Sequence, residues 1–292
     1  MSDTSYVVLE KFNNNKLADF LAFYHLGNEK IKSASFQINN KDVFNLSQII
    51  KTGDIITISI DEDIDFPIFK KYPNIVYEDD YLLIVNKPKG LMVHPDSKDK
   101  NGCLVNMVAW YYFKHNIKRS VKYLHRIDTD TTGLVIFAKD ILTASYFNYL
   151  IGEHIIKRTY LAIVSGSLIP DKGTINEPIG EDRHDNQRRR VSKTGKMAIT
   201  HYETIKALKH NYSLVKLVLE TGRTHQIRVH MKYLGHPLAG DLLYGGSTKY
   251  IERQALHSSS LDFLHPYTFE KMHLEAPIPS DMEKLIWDLN IR

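Results

Sequence analysis

Apolar and polar positions change period along this chain, and the changes mark its elements. Leu17, Phe20, Leu21 and Phe23 recur at helical spacing. Phe36-Gln-Ile-Asn-Asn-Lys41 and Ile49-Ile-Lys-Thr-Gly-Asp54 follow, with turn chemistry at Asn39-Asn40 and Gly53-Asp54, ahead of a β-rich Ile55-Ile-Thr-Ile-Ser-Ile60. The acidic run Asp61-Glu-Asp-Ile-Asp65 and Pro67 then read as a solvated linker, because like charges repel and proline disfavours helix before it. This places a boundary at about residue 66, with a small module at 1–65 and a larger domain at 66–292.

Beyond the boundary, β-branched and aromatic runs at Ile75-Val-Tyr, Leu82-Leu-Ile-Val, Leu134-Val-Ile-Phe, Tyr160-Leu-Ala-Ile-Val and Leu214-Val-Lys-Leu-Val-Leu219 predict strands. Helices are predicted at 104–115, 142–151, 225–234 and 281–289, the last after a capping box at Ser280-Asp-Met-Glu283. Strands and helices do not alternate, so the expected class is α+β, with a mixed, mainly antiparallel central sheet and flanking helices. The 1–65 module reads as a small α/β unit. No internal repeat or low-complexity tract interrupts the chain.

Composition narrows the class. The chain has 292 residues, 43% hydrophobic, and a single cysteine, which excludes a disulfide scaffold and a cysteine-based zinc cluster. With no basic-then-apolar leader and no run of about 18 apolar residues, a cytoplasmic protein without a membrane span is expected. Charge is unevenly placed: residues 1–65 hold six Lys and ten Asp or Glu, net −4, leaving 32 basic and 24 acidic residues, net +8, for the remainder. A basic domain concentrates polyanions around itself, and nucleic acid is the commonest cytoplasmic one.

Two polar clusters stand out. In His125-Arg-Ile-Asp-Thr-Asp-Thr-Thr-Gly133, a loop entering a strand, two carboxylates, a histidine and an arginine crowd together. Asp128 and Asp130 as turn caps would explain it equally well. In Thr221-Gly-Arg-Thr-His-Gln-Ile-Arg-Val-His230, Gly222 permits a tight turn and Thr224 can N-cap a helix. There Ile227, Met231 and Leu234 share one face, while Arg228 with His225 or Lys232 lies on another. That second face meets a ligand or is a solvated basic face. His225 and His230 stand about 140° apart on a helix, which argues against a shared metal and hence against a metal-dependent hydrolase.

These residues resemble the RluA-like RNA pseudouridine synthase family. His125-Arg-Ile-Asp-Thr-Asp-Thr-Thr-Gly133 is similar to its signature of His-Arg-Leu-Asp, two variable positions and Thr-Ser-Gly, with Ile127 for Leu and Thr132 for Ser. Further matches follow in order: Asp79-Asp-Tyr-Leu-Leu-Ile-Val-Asn-Lys-Pro-Lys-Gly90, Lys157-Arg-Thr-Tyr-Leu-Ala-Ile-Val164, the 221–230 segment, Gly240-Asp-Leu-Leu-Tyr-Gly245 and Arg253-Gln-Ala-Leu-His257. Six in register make the resemblance specific, and it implies that 66–292 is a pseudouridine synthase catalytic domain.

The resemblance implies isomerisation of uridine to pseudouridine in RNA, with no cofactor and no metal. It makes Asp128 the catalytic carboxylate, Arg223 the cation that keeps it ionised and Tyr160 the pocket tyrosine. Arg126 would fill the gap left by the extruded base, a task for which a planar guanidinium suits better than an ammonium. Thr132, Ile227 and Arg228 are further substrate-binding candidates. His125 is either another RNA contact or a core histidine bonded to backbone.

The segment Arg183-His-Asp-Asn-Gln-Arg-Arg-Arg-Val-Ser-Lys-Thr-Gly-Lys196 offers Arg183, Arg188, Arg189, Arg190, Lys193 and Lys196 to RNA phosphates. Residues 1–65 resemble the small RNA-binding domain of a ribosomal protein. Their net −4 disagrees with RNA binding unless Lys30, Lys32 and Lys41 form a local basic face. The expected partner is ribosomal RNA, most of all of the large subunit, or transfer RNA, bound by a monomer. The competing reading is a non-catalytic RNA-binding or ribosome-assembly protein.

Overall fold

Alternation in the first sixty residues builds a small antiparallel sheet, β1 (Ser2–Val7), β2 (Ala34–Ile38), β3 (Lys41–Val43) and β4 (Ile55–Ile60), in the order β1-β4-β2-β3. Register sets Tyr6 and Ile38 on either side of Ile56, so all three side chains leave one face. That face is covered by α1 (Leu17–Phe23), with α2 (Asn28–Ser33) following. Tyr6, Phe12, Phe20 and Tyr24 pack there with ring centroids 4.9–6.2 Å apart. The chain is seen in a computed structural model that describes residues 2–95, 101–183, 185 and 187–291.

Residues Met1–Ile84, His94–His125 and Ile136–Glu153 form one compact unit, and the expected boundary at residue 66 falls inside it. The same unit holds β5 (Ile75–Glu78), α3 (Leu104–Lys114), β7 (Lys122–Tyr123) and α4 (Ile141–Gly152), and parts of β6 (Leu82–Lys87) and β8 (Thr132–Ala138). The small sheet is tied to α4 by its own core. Tyr6 donates to Asp140, the residue whose side chain caps α4 by accepting from the Thr143 amide, and Tyr24 and Phe23 pack on Tyr146. The acidic run is the solvated linker expected only in part: Asp61 and Asp63 are exposed, while Glu62 and Asp65 are held. Glu62 accepts from Ser120 and Lys122 at 2.6 and 2.5 Å, and Asp65 accepts the Val121 amide at 2.8 Å, because three donors at 120–122 face it.

Val85–Val93, Arg126–Val135 and His154–Arg292 form the second unit. Its strands are β9 (Lys157–Ser165), β10 (Lys172–Asn176), β11 (Ile179–Glu181), β12 (Arg189–Val191), β13 (Ile199–Leu208), β14 (Tyr212–Leu219), β15 (Leu256–Leu264) and β16 (Lys271–Glu275). Its helices are α5 (Gln226–Tyr233) and α6 (Ser280–Ile291). Sheet order runs β10-β13-β14-β9-β15, with β16 also on β15, all antiparallel, and β15 then pairs parallel with the start of β8. The chain is therefore a mixed α+β protein with a mainly antiparallel sheet. Ile163, Tyr212, Ala255, Met282, Leu285 and Leu289 bury α6 against the sheet. The amides of Met282 and Glu283 donate to the Pro279 carbonyl, so Ser280 lies within the first turn of α6 rather than at its cap. Among the described residues no helix is long and apolar enough to cross a membrane.

Two close approaches set the site's walls. Gly133 has φ +111°, and a Cβ there would fall 2.1 Å from the Ser258 carbonyl oxygen, so only glycine lets β8 meet β15. A smaller cluster of Ile179, Ala198, Val229 and Tyr244 joins the β11–β12 hairpin to α5. It brings the basic 183–196 segment beside that helix.

Candidate active site

The loop from Arg126 to Thr131, entering β8, is held by two buried cations that grip its backbone. Lys87, fully buried, donates its three N–H groups to the carbonyls of Pro88, Leu91 and Thr129 at 2.9, 2.6 and 2.7 Å. Burial pushes its ammonium down to about 7, against the pull of Asp130 and Asp128. Arg253 donates to the Asp130 carbonyl at 3.0 Å while its Nε and NH2 fork onto Asp281, at 2.8 Å each. Carbonyls that point inward to these cations leave the Asp128 side chain, 24% exposed, on the open side.

Opposite Asp128 stands α5. Arg228 donates from NH1 to Asp128 Oδ2 at 3.2 Å, and from Nε and NH2 to the two oxygens of Asp241 at 2.7 and 2.8 Å. Asp241 is 1% exposed. Burial works against the guanidinium's charge, but Asp241 and Asp128 outweigh it and hold the pKa above its ordinary value. The ring of Tyr244 lies 4.9 Å from the same guanidinium. His225 turns its Nδ1 to the Tyr244 hydroxyl at 2.9 Å and its Nε2 to Asp128 Oδ2 at 3.9 Å.

The structure does not bring Arg223 to Asp128, although the role expected of it needs that contact. Arg223 is exposed, and its Nε donates to the Met197 carbonyl at 2.9 Å while its backbone amide donates to Gln226 Oε1. Arg223 precedes the turn and Arg228 lies two residues inside the helix, which carries the second arginine, not the first, to Asp128. Nor does Thr224 cap the helix. His225 takes the N-cap position at φ +57°, and Thr224 Oγ1 instead accepts from Arg126 NH2 at 3.1 Å. Gln226 anchors the first turn by donating to Ile199 O and Thr200 Oγ1 at 2.9 and 3.0 Å. Gln226–Met231 are all buried, so α5 has no solvated basic face over that stretch. Gly222 lies beside the end of the Arg158 side chain, where a Cβ would meet NH1 at 2.9 Å and the flexible guanidinium would have to shift.

The remaining residues divide by burial. Tyr160 on β9 is 4% exposed, and burial pushes its phenol up while Arg158 and a hydrogen bond with Ser258 pull it down. Thr132 is buried with Oγ1 2.9 Å from His257 Nδ1, and Ile227 is buried as well. His125 is a core histidine: its Nε2 accepts the Ile136 amide at 3.2 Å. Arg126 is exposed. In the basic segment, where His184 and Asn186 lie outside the described residues, Arg183, Lys193 and Lys196 are exposed. Arg189 and Arg190 sit on β12, Arg189 pairs with Glu181 at 3.3 Å, and Arg188 stands 5.7 Å over the Tyr244 ring. A groove of about 470 Å³ runs along Gly180, Arg189, Lys196, Gly222, Arg223 and Thr224. Among the described residues no group of three or more His, Cys, Asp or Glu is placed to hold a metal.

Asp241, Tyr244 and Arg253 lie in the family-like motifs without a role implied for them, and the segment 87–94 is expected only to shape the sheet and pocket. For Lys87 and Asp241 the signal is a charged residue beside Pro88 or Gly240 at a loop position, which marks backbone held in an unusual shape; Arg253 and Tyr244 carry no such mark.

Known proteins similar to this chain belong to one family. Residues 81–233 match the family model described as RNA pseudouridylate synthase. An uncharacterised RNA pseudouridine synthase of Bacillus subtilis (strain 168) is 43% identical over 252 residues, covering 85% of this chain and 83% of its own length. The ribosomal large subunit pseudouridine synthase D of Haemophilus ducreyi is 39% identical over 247 residues, 79% of this chain and 75% of that one. Human RNA pseudouridylate synthase domain containing 4 shares the fold, with a TM-score of 0.62 at 24% identity over 74% of this chain and 92% of its own. A basic second unit, an aspartate loop braced by Lys87 and Arg253, and these matches lead to one conclusion: the chain belongs to the RNA pseudouridine synthase family, in its RluA-like branch.

Proposed function

We propose that this enzyme isomerises specific uridines of large-subunit ribosomal RNA to pseudouridine, with Asp128 as the catalytic carboxylate. The observation that carries the reading is the Asp128–Arg228–Asp241 chain. A carboxylate on an open wall faces an arginine that is itself fixed by a buried fork, so the arginine cannot turn away when substrate displaces water. Such a carboxylate can attack the sugar or base, or stabilise charge developing there. Tyr160, kept neutral by burial, fits a phenol that stacks on the base and gives a proton rather than takes one. Arg126 remains the candidate for the space left by the flipped nucleotide, with Thr132 and Ile227 behind the pocket wall.

The groove beside the basic hairpin suits the flanking phosphodiester backbone, with Arg183, Arg188, Arg189, Arg190, Lys193, Lys196 and Arg223 along or near it. The relatives named for the large ribosomal subunit favour that RNA over transfer RNA. A single buried cysteine fits a reducing, cytoplasmic setting, and the enzyme is read as a monomer needing no cofactor.

The test uses total RNA labelled with [5-³H]uridine in cells lacking the gene. Wild-type protein should release tritium from carbon 5, and mapping should place the new pseudouridines in large-subunit RNA. Asp128→Asn should bind RNA and release none. Tritium release by Asp128→Asn overturns the catalytic assignment, and modification confined to transfer RNA overturns the substrate.

A further inference from the structure

His225 is built unlike its neighbours. It occupies the left-handed region at φ +57°, where a non-glycine residue is uncommon, and it opens α5 by accepting the Val229 amide on its carbonyl at 2.9 Å. Its imidazole stands edge-on to Tyr244, with ring planes at 85° and centroids 5.7 Å apart. The Tyr244 hydroxyl accepts the backbone N–H of Arg189 at 2.9 Å, and burial pushes that phenol up, which keeps it protonated. Its own hydrogen therefore goes to the remaining partner, His225 Nδ1. A neutral imidazole that accepts at Nδ1 carries its proton on Nε2. Nε2 is the atom that faces Asp128 Oδ2 at 3.9 Å, beside the Arg228 donor at 3.2 Å.

We propose that His225 is a positioning residue for Asp128: Tyr244 fixes its tautomer, and the Nε2–H steadies Oδ2 so that Oδ1 is left to the substrate. The inference rests on the reading of Asp128 as the catalytic carboxylate. At 3.9 Å the contact is longer than a hydrogen bond, as catalytic contacts often are before substrate closes the site. The charged groups facing His225 are Asp128, Arg228, Asp241 and Arg189. Burial lowers its pKa first of all, Asp128 and Asp241 raise it, and Arg228 and Arg189 lower it, with the net shift downward. It is thus neutral in the working range. Protonation in acid would reverse the Tyr244 bond, because Nδ1–H no longer accepts, and would place a positive charge beside Oδ2 that draws Asp128 onto the imidazolium and away from substrate.

Tritium release from the same labelled total RNA tests this, as kcat and KM against pH for wild type, Asp128→Asn, His225→Asn and Tyr244→Phe. Asparagine tolerates the left-handed backbone and keeps an acceptor for Tyr244 but has no donor at the Nε2 position. We expect His225→Asn to lower kcat on the order of 10- to 100-fold with KM within about twofold of wild type, since misplacing a reacting group by 1 Å costs about that much. The acid limb of kcat that belongs to His225 should disappear in this variant. Tyr244→Phe removes one oxygen, should fold, and should lower kcat and move the acid limb, because either imidazole nitrogen can then hold the proton. Wild-type kcat with an unmoved acid limb in His225→Asn overturns the proposal, as does an unmoved limb in Tyr244→Phe. Activity in Asp128→Asn is the separate result that would remove the reading beneath it.

Discussion

Arg228 donates to Asp128 across 3.2 Å from a guanidinium whose other two nitrogens are already spent on a buried aspartate. Because the fork onto Asp241 fixes the plane, the third nitrogen has one direction left, and that direction is Asp128. Lysine at 228 keeps the charge but not the plane. We expect Arg228→Lys to lose on the order of 100-fold in kcat by tritium release. Arg228→Met should in addition lose about 3–5 kcal/mol of stability by urea denaturation, since it leaves Asp241 buried and unpaired. Arg223→Met, whose residue is bonded to the Met197 carbonyl, should affect KM more than kcat. A kcat loss in Arg223→Met as large as in Arg228→Lys would return the supporting role to Arg223.

How far the sequence reached this arrangement depends on what each residue needs from distant partners. The helices at 104–115 and 142–151 end within one residue of their predictions, because their apolar spacing is local information. β15 was missed. Its Ser258-Ser-Ser260 has no β-branched or aromatic residue to mark a strand, yet Ser258 is buried and donates to the Leu134 carbonyl, a partner 124 positions away. β13 was missed because Glu203, Lys206 and its other exposed positions dilute the alternation. The choice between Arg223 and Arg228 was not legible either. It turns on the left-handed His225, which delays the helix and reorients both arginines; histidine tolerates that region better than most residues, but Gly222 and Thr224 offer a turn and a cap before it.

Lys87 makes stability depend on pH in a direction that can be worked out. Its folded pKa is near 7 and its unfolded value 10.5, so between those values the unfolded chain binds more protons. Stability then rises with pH through that window, by at most about 1.4 kcal/mol per pH unit from this one group. The stability of wild type minus that of Lys87→Met, from urea titrations at several pH values between 7 and 10, should increase with pH. A flat difference would mean that the three carbonyls keep the ammonium charged. Below pH 7 the variant should be less stable by about 2–4 kcal/mol, for carbonyls left without donors.

Gly133 is where the aspartate loop becomes a strand. Alanine there meets the Ser258 carbonyl oxygen at 2.1 Å and must also adopt φ +111°. Neither strand can withdraw without losing the His257–Thr132 pairing. Gly133→Ala should lose at least about 3 kcal/mol and give little soluble protein at 37 °C. Melting within a few degrees of wild type would show that the strands separate more easily than this contact implies.

The last prediction concerns which residues grip RNA. Deleting 1–65 is a poor test of whether that acidic segment contributes, because it strips Tyr6 from Asp140 and Glu62 from Lys122, and so unsettles the unit that contains α4. Point changes avoid this. The local basic face once open to residues 1–65 is partly spent: Lys32 pairs with Glu29 at 3.1 Å and Lys30 reaches Ser145 at 3.4 Å. Lys32→Gln with Lys41→Gln should therefore leave the slope of log affinity against log salt unchanged. Arg183, Lys193 and Lys196 are exposed on the hairpin segment. Changing all three to Gln removes up to three phosphate contacts and should reduce that slope by about 2–3, at 0.7–0.9 per contact. Since none of the three touches Asp128, kcat should stay near wild type while KM rises. Binding of both variants to large-subunit ribosomal RNA at several salt concentrations decides the matter. A slope that falls in the Lys32, Lys41 variant and holds in the hairpin variant would move the RNA track to residues 1–65, against their net charge.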